Sequence, residues 1–389
     1  MSWIAISKNA CRRGAVGLLA LAVLLSAAGC AAGERRSRGA ALKAADFILS
    51  LQKKNGAICE SPENQTVNED SDMEYALMGL GAAYQTSGRR KYLTGLERGI
   101  RFLAARQETG CSQWSGSWWY LYDADGRHIP ARQGARVADV RGVDTACALF
   151  IYLLDLDRRC AGASGVWKEY EDNGRAALKF LLQKSRDGDG LTWSSFQKDA
   201  AGRWGIYRCK YAADQGDVWL AYRASARLYG GEYRRLAEEL RTKIFQTFFD
   251  RRHARYCVSV DSGGNRDWSI EDFSPVQSQG YLPWLLGDAP QNRAAVSWME
   301  SKVTADGSLR CFPGDPAYTL SAALLCMGDR GIGGETPGKT VSWLKTTQDS
   351  KTGGVYDSLT ERTETCNAAG FYVMALLNWE PFAKNDLEG

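Results

Sequence analysis

Residues 365–378 read TCNAAGFYVMALLN and form the last strongly apolar segment of a chain of 389 residues. A helix built from this segment is apolar on nearly every side, and such a helix has to be buried. Earlier segments share this character, and each follows an amphipathic helix and a polar loop. In chain order the apolar segments lie near 71–86, 144–156, 215–229, 274–286, 317–327 and 365–378. The sequence therefore predicts six helical hairpins, each with an outer and an inner helix.

The arrangement of these hairpins follows from the last one. In an open solenoid the terminal repeats have polar outer faces. Here Phe371, Tyr372 and Val373 make the sixth inner helix as apolar as the others, so another element must cover it. Ring closure provides that cover. We predict an all-α (α/α)6 toroid, which resembles the six-hairpin glycosidase superfamily, and the resemblance implies a carbohydrate-active enzyme.

The N-terminal segment predicts export. Three basic residues precede an apolar run at 14–28, which is too short to span a bilayer as a stable anchor. The run ends in LSAAGC at 25–30, and small residues before a cysteine resemble the lipobox of bacterial lipoproteins. That resemblance implies removal of the signal and acylation of Cys30. Soluble secretion after an Ala-x-Ala-like site is the alternative.

We expect membrane attachment through the acyl chains, because two or more chains give durable binding. Ala31, rather than Asp, follows Cys30, which favours the outer membrane of a diderm host, facing the periplasm or the cell surface. The expected divisions are a lipoprotein-type signal peptide at 1–29, a flexible tether at 30–40, one toroid domain at 41–380 and a C-terminal tail at 381–389.

Composition excludes several classes of partner. The chain has 49 basic and 45 acidic residues, and removing the three basic residues of the signal leaves 46 against 45. This balance gives no electrostatic reason to bind nucleic acid. Only His128 and His253 are present and no CxxC pair occurs, so we expect no metal site of the usual Cys/His kind and no cofactor. We expect a monomer.

Long loops at 108–143, 184–214 and 251–273 precede inner helices, so a ring gathers them at one end. Long loops in compact domains are usually functional, and these are rich in aromatic residues, whose flat rings can stack on sugars. The alternative is that the tryptophans only plug the ring. The predicted substrate-binding residues are Trp118, Trp119, Tyr120, Trp193, Trp204, Tyr207, Asp214, Trp268, Glu271 and Asp272.

Carboxylates recur where inner helices begin, and glycoside hydrolysis requires two of them. The segment at 67–75, VNEDSDMEY, is loosely similar to the one that bears the general acid in family 8 glycoside hydrolases, which implies the acid at Glu69. VDTACAL at 143–149 is similar to that family's Asp-led inner helix, which implies a base-like role for Asp144. DQGDVWLA at 214–221 fits the same pattern. The predicted catalytic residues are Glu69, Asp72, Asp144 and Asp217. The alternative for each is helix capping.

These patterns together predict a glycoside hydrolase acting on an envelope or extracellular polysaccharide. One alternative is a non-catalytic glycan-binding or scaffold lipoprotein of a polysaccharide export system. Another is a polysaccharide lyase on a uronate-containing glycan, with cations in the loops neutralising the substrate. Sugar 2-epimerases on this fold rely on histidines, and neither His128 nor His253 begins an inner helix, which disfavours epimerisation. The candidate cations are Arg127, Arg132, Arg136, Arg141, Arg203, Arg208 and Lys210.

Overall fold

The computed structural model describes residues 33–133, 136–199, 201–270 and 274–382. Several predictions lie outside the described residues: the signal segment, acylation at Cys30, the binding residues Glu271 and Asp272, and positions 383–389 of the tail predicted at 381–389. The start of that tail is wrong, because Phe382 is buried in the core. Within the described part, no helix combines the length and apolar character needed to cross a bilayer.

Helices alternate between two concentric layers along the described chain. The outer helices are α1 (33–51), α3 (Arg90–Arg106), α5 (Glu171–Phe180), α7 (Glu232–Phe248), α9 (Pro290–Glu300) and α11 (Gly338–Thr346). The inner helices are α2 (Asp72–Ser87), α4 (Asp144–Ala161), α6 (Ala212–Leu228), α8 (Ser274–Leu286), α10 (Thr319–Gly331) and α12 (Cys366–Leu376). The inner helices supply most of the hydrophobic core, as their all-round apolarity predicted.

The inner helices form a closed ring, because each packs on the next and α12 packs on α2. Glycines let two of these pairs approach closely. A Cβ on Gly280 of α8 would lie 2.5 Å from the carbonyl oxygen of Leu324 in α10. At the closing contact, a Cβ on Gly370 of α12 would lie 2.5 Å from the carbonyl oxygen of Tyr75 in α2. The predicted (α/α)6 toroid is therefore confirmed.

The first helix corrects one predicted boundary. The tether predicted at 30–40 is wrong from residue 33 onward, because α1 begins there and continues to 51. Three arginines and Gly39 made this stretch resemble a linker. However, arginine is a good helix former, and Ala41 and Ala44 anchor the same helix in the core. Arg38 also donates a hydrogen bond of 2.6 Å to the carbonyl oxygen of Thr86.

Short antiparallel strands join the loops at one end of the ring. The strands are β1 (Thr66–Asn68), β2 (Leu121–Asp123), β3 (Ala131–Gln133), β4 (Arg136–Ala138), β5 (Val140–Arg141), β6 (Ser195–Lys198), β7 (Trp204–Tyr207), β8 (Cys209–Tyr211), β9 (Phe249–Asp250), β10 (Arg255–Tyr256) and β11 (Ser259–Asp261). They pair β1 with β2, β3 with β4, β5 with β6, β6 with β7, β8 with β11 and β9 with β10. Three of these sheets link loops of successive repeats, which holds the loops in fixed positions.

The chain direction gives the ring two distinct ends. All inner helices begin at the end where the long loops gather, which we call the mouth. They finish at the opposite end, which we call the far face, and there the outer helices begin. Residues at the start of an inner helix therefore meet at the mouth, and those at its end meet at the far face.

Candidate functional site

The acidic run before α2 is divided among different neighbours. Ser71 has a φ of 80°, a left-handed conformation that is unfavourable for a residue with a Cβ and costs on the order of 1 kcal/mol. This bend separates the residues on either side of it. Glu69 packs with Glu74, Asp70 contacts the start of α4, and Asp72 contacts α12.

Asp70 and Asp144 are linked through one threonine. The Thr145 hydroxyl donates to Asp70 at 2.9 Å, and the Thr145 amide donates to Asp144 at 3.0 Å. The Thr192 hydroxyl also donates to Asp144, and Gln215 holds the Thr192 amide at 2.9 Å. Asp70 is partly exposed whereas Asp144 is 0% exposed, so only Asp70 of this pair opens into the mouth.

The start of α6 adds two more carboxylates. Asp214 is partly exposed, and no described residue donates a hydrogen bond to it. Asp217, one turn later, is 1% exposed. The Tyr75 hydroxyl donates to Asp217 at 3.0 Å, and the Tyr281 hydroxyl donates to it at 2.5 Å. Asp217 therefore fastens three inner helices together beneath the mouth, while Asp214 faces it.

We call Asp70, Asp144, Asp214 and Asp217 the aspartate cluster. Burial raises the pKa of every member, and it raises that of Asp217 to about 8. The other carboxylates act in the same direction: Asp70 raises the pKa of Asp144, and Asp144 raises that of Asp214. Hydrogen bonds from neutral hydroxyl groups lower these pKa values, but by less than burial and the neighbouring carboxylates raise them. At neutral pH the cluster therefore retains protons, which an acid catalyst requires.

Cations at the rim of the mouth are paired with other acids. Lys210 contacts both Asp187 and Asp189 at 2.7 Å, and Arg141 lies 3.4 Å from Glu108. Within the described residues, none of the ion pairs involves a member of the aspartate cluster.

Glu69 and Glu74 form a separate buried pair. Both are 0% exposed, and no described amide or hydroxyl donates to their carboxylate oxygens. Burial raises the pKa of Glu69 to about 8, and burial followed by the charge of Glu69 raises that of Glu74 well above its ordinary range. The two groups satisfy each other only when they share a proton. Glu69, predicted as the acid, therefore lies under the site rather than in the mouth.

We expect Glu69→Gln to make stability less dependent on pH. The folded pKa is about 8 and the unfolded value is about 4.3, so the folded chain binds more protons between them. Its free energy of unfolding therefore falls as pH rises through that window. Glutamine carries its own donor for Glu74, so the variant should be more stable than the natural chain by about 2 kcal/mol near pH 9.

Urea unfolding near pH 5 and pH 9 measures this effect. Glu335→Gln is the matched control, because the same substitution falls on an exposed side chain outside the pair. Equal pH dependence in Glu69→Gln and the natural chain would show that Glu69 and Glu74 do not share a proton.

Asp72 belongs to the junction that closes the ring. The Asn68 amide donates to it at 3.0 Å, and the Asn367 amide of α12 donates to its other oxygen. Burial, then Glu60 and Asp70, raises its pKa to about 8. These contacts with α12 give Asp72 a structural role in the seam, beside the aspartate cluster.

The predicted aromatic residues divide into core and rim. Trp118 is 1% exposed, and its indole donates to the carbonyl oxygen of Leu103 at 2.7 Å. It packs in the core against Phe150, so the structure does not support the predicted binding role. Trp119 is partly exposed at the rim, where its ring stacks on His128 with centroids 3.8 Å apart.

Other predicted aromatic residues surround the mouth. The ring centroids of Trp204 and Trp119 lie 5.8 Å apart, and the Arg141 guanidinium lies 4.3 Å from the Trp119 ring centroid. Tyr120 is partly exposed, and its carbonyl oxygen accepts from the Glu69 amide at 2.9 Å, which places it beside Asp70. The remaining three contact other loop residues: Trp193 contacts Lys210, Tyr207 contacts Tyr211, and Trp268 stacks on His253.

Sequence reasoning placed Asp144, Asp214 and Asp217 near one another and missed Asp70 as a site residue. Asp70 lay inside the acidic run already noted, but the pattern could not show which carboxylate turns toward α4. The roles of Tyr75 and Tyr281 were also missed, because their contacts with Asp217 are 142 and 64 residues apart in the chain. Among the described residues, no group of three or more His, Cys, Asp or Glu is arranged to hold a metal ion.

No family model and no curated protein matches the sequence. Solved structures match the fold. A D-mannose isomerase gives a TM-score of 0.64 at 13% identity, with 88% of this chain covering 97% of that chain. For the cellobiose 2-epimerase from Bacillus thermoamylovorans the TM-score is 0.61 at 12% identity, with 86% and 95% covered. For a glycosidase in complex with glucose it is 0.57 at 12% identity, with 91% and 98% covered.

At these identities the likeness concerns the fold alone. The chain shares the (α/α)6 toroid fold with these solved structures, as the apolar inner helices predicted. The chemistry has to be argued from the residues at the mouth.

Proposed function

We propose that this protein is a glycoside hydrolase in which Asp214 is the general acid and Asp70 the general base. The observation that carries the proposal is the meeting of carboxylates from three inner-helix starts in one mouth. Two of them, Asp70 and Asp214, are partly exposed, so a glycan can reach them. Hydrolysis of a glycosidic bond requires two such groups with different protonation states.

Asp214 suits the acid role because its surroundings keep its proton. Burial and the charges of Asp144 and Asp70 raise its pKa well above the ordinary range, and no described donor stabilises its anion. In the proposed step its proton passes to the glycosidic oxygen as the bond from that oxygen to the anomeric carbon breaks. The sugar leaving group departs as a neutral alcohol.

Asp70 suits the base role because a donor stabilises its negative form. The Thr145 hydroxyl donates to it at 2.9 Å and lowers the pKa that burial raises. In the proposed step Asp70 accepts a proton from the water whose oxygen bonds to the anomeric carbon. Asp144 and Asp217, which the sequence predicted as catalytic, are buried beneath these two and set their electrostatic surroundings.

The two histidines favour hydrolysis over epimerisation. His128 stacks on Trp119 and faces Asp139 at 3.8 Å, while His253 stacks on Trp268 and faces Asp250 at 3.4 Å. Both histidines lie in loops at the rim, and the acids that they face, Asp139 and Asp250, are not members of the aspartate cluster. Asp70, the proposed base, is negatively charged and would repel an acidic sugar, which also disfavours a uronate lyase.

The proposal includes export and attachment to the membrane through an acylated Cys30, which the lipobox-like segment supports. The expected substrate is then an oligo- or polysaccharide of the envelope or the cell exterior. A monomeric ring with one mouth is sufficient for this activity, and the proposed chemistry needs no metal or cofactor.

Incubation of the purified protein with a panel of bacterial polysaccharides tests the reaction class. We expect new reducing ends without the ultraviolet absorbance of an unsaturated uronate. Absorbance that rises with chain cleavage would assign a lyase. Glycan binding without any cleavage across the panel would assign a silent binding or scaffold protein.

A further inference from the structure

A second open cavity lies at the far face, remote from the aspartate cluster. It has a volume of about 730 Å³, within the range of small-ligand sites. It is bounded by the ends of inner helices α2, α10 and α12, by the beginning of outer helix α1 and by outer helix α11 along most of its length. Thr86, Arg330 and Asn378 represent the first group, and Gly33 and Gly338 the second.

Cations outnumber acids on the lining. Arg38, Arg330 and Lys345 line the cavity, and Glu34 is the acidic residue among the described lining residues. The described ion pairs include none of these three cations. The described hydrogen bonds of Arg38 and Arg330 go to carbonyl oxygens, which carry no full negative charge.

Lys345 is the least satisfied of the three. It is partly buried, and no described residue accepts a hydrogen bond from it. Burial and the nearby charge of Arg36 both lower its pKa. The charges of Glu380 and Asp329 act on Arg330 without an ion pair to it, and burial raises the pKa of Asp329 to about 7, which reduces the negative charge on Asp329 near neutral pH. The positive charge of its lining therefore favours binding of an anion in the cavity.

The position of the cavity indicates the source of that anion. Gly33, where α1 begins, lines the cavity, and Cys30 precedes it by three residues. Three residues extend at most about 11 Å. Acyl chains on Cys30 would thus enter a bilayer close to this face. Apolar side chains also line the cavity, namely Val341, Leu376 and Leu377.

We propose that the far-face cavity binds the anionic headgroup of a membrane phospholipid. Arg38, Arg330 and Lys345 contact the phosphate, and the apolar residues contact the glycerol region. Such contact seats the far face on the bilayer and points the mouth away from it, toward soluble or wall-bound glycan. The choice of a lipid rests on the proposed acylation of Cys30, whereas the preference for an anion rests on the cavity and its charges, and neither depends on the proposed hydrolysis.

Vesicle flotation with residues 31–389 tests the proposal without acyl chains. This chain retains every described helix, and the ring closes within residues 33–382. We expect binding to vesicles of phosphatidylcholine mixed with phosphatidylglycerol and none to phosphatidylcholine alone. The double variant Arg38→Gln/Lys345→Gln should bind about thirty-fold more weakly, since each basic residue near an anionic surface contributes about 1 kcal/mol.

Arg127→Gln/Arg203→Gln is the matched control, because it removes the same charge from exposed rim residues at the mouth. Ser342→Glu, on an exposed residue of the lining, is a second variant that adds negative charge and should also weaken binding. Equal loss in the control, or full binding in both cavity variants, would overturn the proposal. So would binding of inorganic phosphate by the protein with no binding to the mixed vesicles, which would assign a free-phosphate site.

Discussion

Asp214→Asn should abolish glycan hydrolysis and leave the ring folded. Asparagine has the shape of the aspartic acid but has no proton to give to a leaving oxygen. General acid catalysis is typically worth 10² to 10⁴ in rate, so we expect kcat to fall about a thousand-fold. No described residue donates to Asp214, so the substitution breaks no hydrogen bond of the fold. Reducing-end release measures kcat, and circular dichroism measures folding.

Asp139→Asn is the matched control for this loss. Asp139 is a partly exposed carboxylate of the same mouth, and it pairs with Lys198 at 3.2 Å outside the aspartate cluster. We expect it to retain nearly full activity. Asp70→Asn should lose activity as Asp214→Asn does, because it removes the proposed base. Activity near the natural level in either cluster variant would contradict the proposed pair.

The pH profile gives an independent check on the roles. Burial raises the pKa of both Asp70 and Asp214 above the ordinary range. Activity should fall as pH drops through the pKa of Asp70, since the base becomes protonated, and as pH rises through that of Asp214, since the acid loses its proton. The optimum should therefore lie at higher pH than for a solvated pair. An alkaline limb that persists in Asp214→Asn would mean that another group is the acid.

Gly280→Ala should strongly destabilise the protein. The added Cβ would lie 2.5 Å from the carbonyl oxygen of Leu324, so α8 and α10 would have to move apart. Closely packed interiors adapt poorly to added volume, and overpacking typically costs 1 to 3 kcal/mol, occasionally more. We expect about 3 kcal/mol from urea unfolding, and some loss of activity because α8 carries Tyr281, which holds Asp217.

Gly39→Ala tests whether this effect comes from the close approach. Gly39 lies in the exposed part of α1, and a Cβ there meets no atom within 4 Å. Alanine favours the helix by up to about 1 kcal/mol, so this change should stabilise the protein. A neutral Gly280→Ala would mean that α8 and α10 are packed less tightly than the structure describes.

The inner helices were predicted within a few residues because burial on all sides leaves a direct mark in the sequence. The segments near 144–156 and 274–286 became α4 and α8, which begin at the predicted residues. The ends of the outer helices were harder to predict, because the residues there are polar. Residues 33–40 are the example, since arginines and a glycine there occupy a helix that the sequence assigned to a tether.

The site could be predicted only to the level of a neighbourhood. The sequence pattern around an Asp at the start of an inner helix is the same whether that Asp caps the helix, accepts a hydrogen bond from a tyrosine or opens into the mouth. The structure separated these cases. Asp217 is held by two tyrosines, Asp144 is held by threonines, and Asp214 has no described donor. Likewise, neighbours in sequence diverged, with Trp118 in the core and Trp119 at the rim.

The sequence alone determined the ring. Six apolar helices, including the last segment TCNAAGFYVMALLN, have no other way to bury every face. Tertiary structure decided which carboxylates face the mouth and which cations at the far face lack a carboxylate within ion-pair distance. The physical reason is that burial depends on composition and periodicity along the chain, whereas the protonation and exposure of a side chain depend on its neighbours in space. The contact between Thr145 and Asp70 joins residues 75 positions apart.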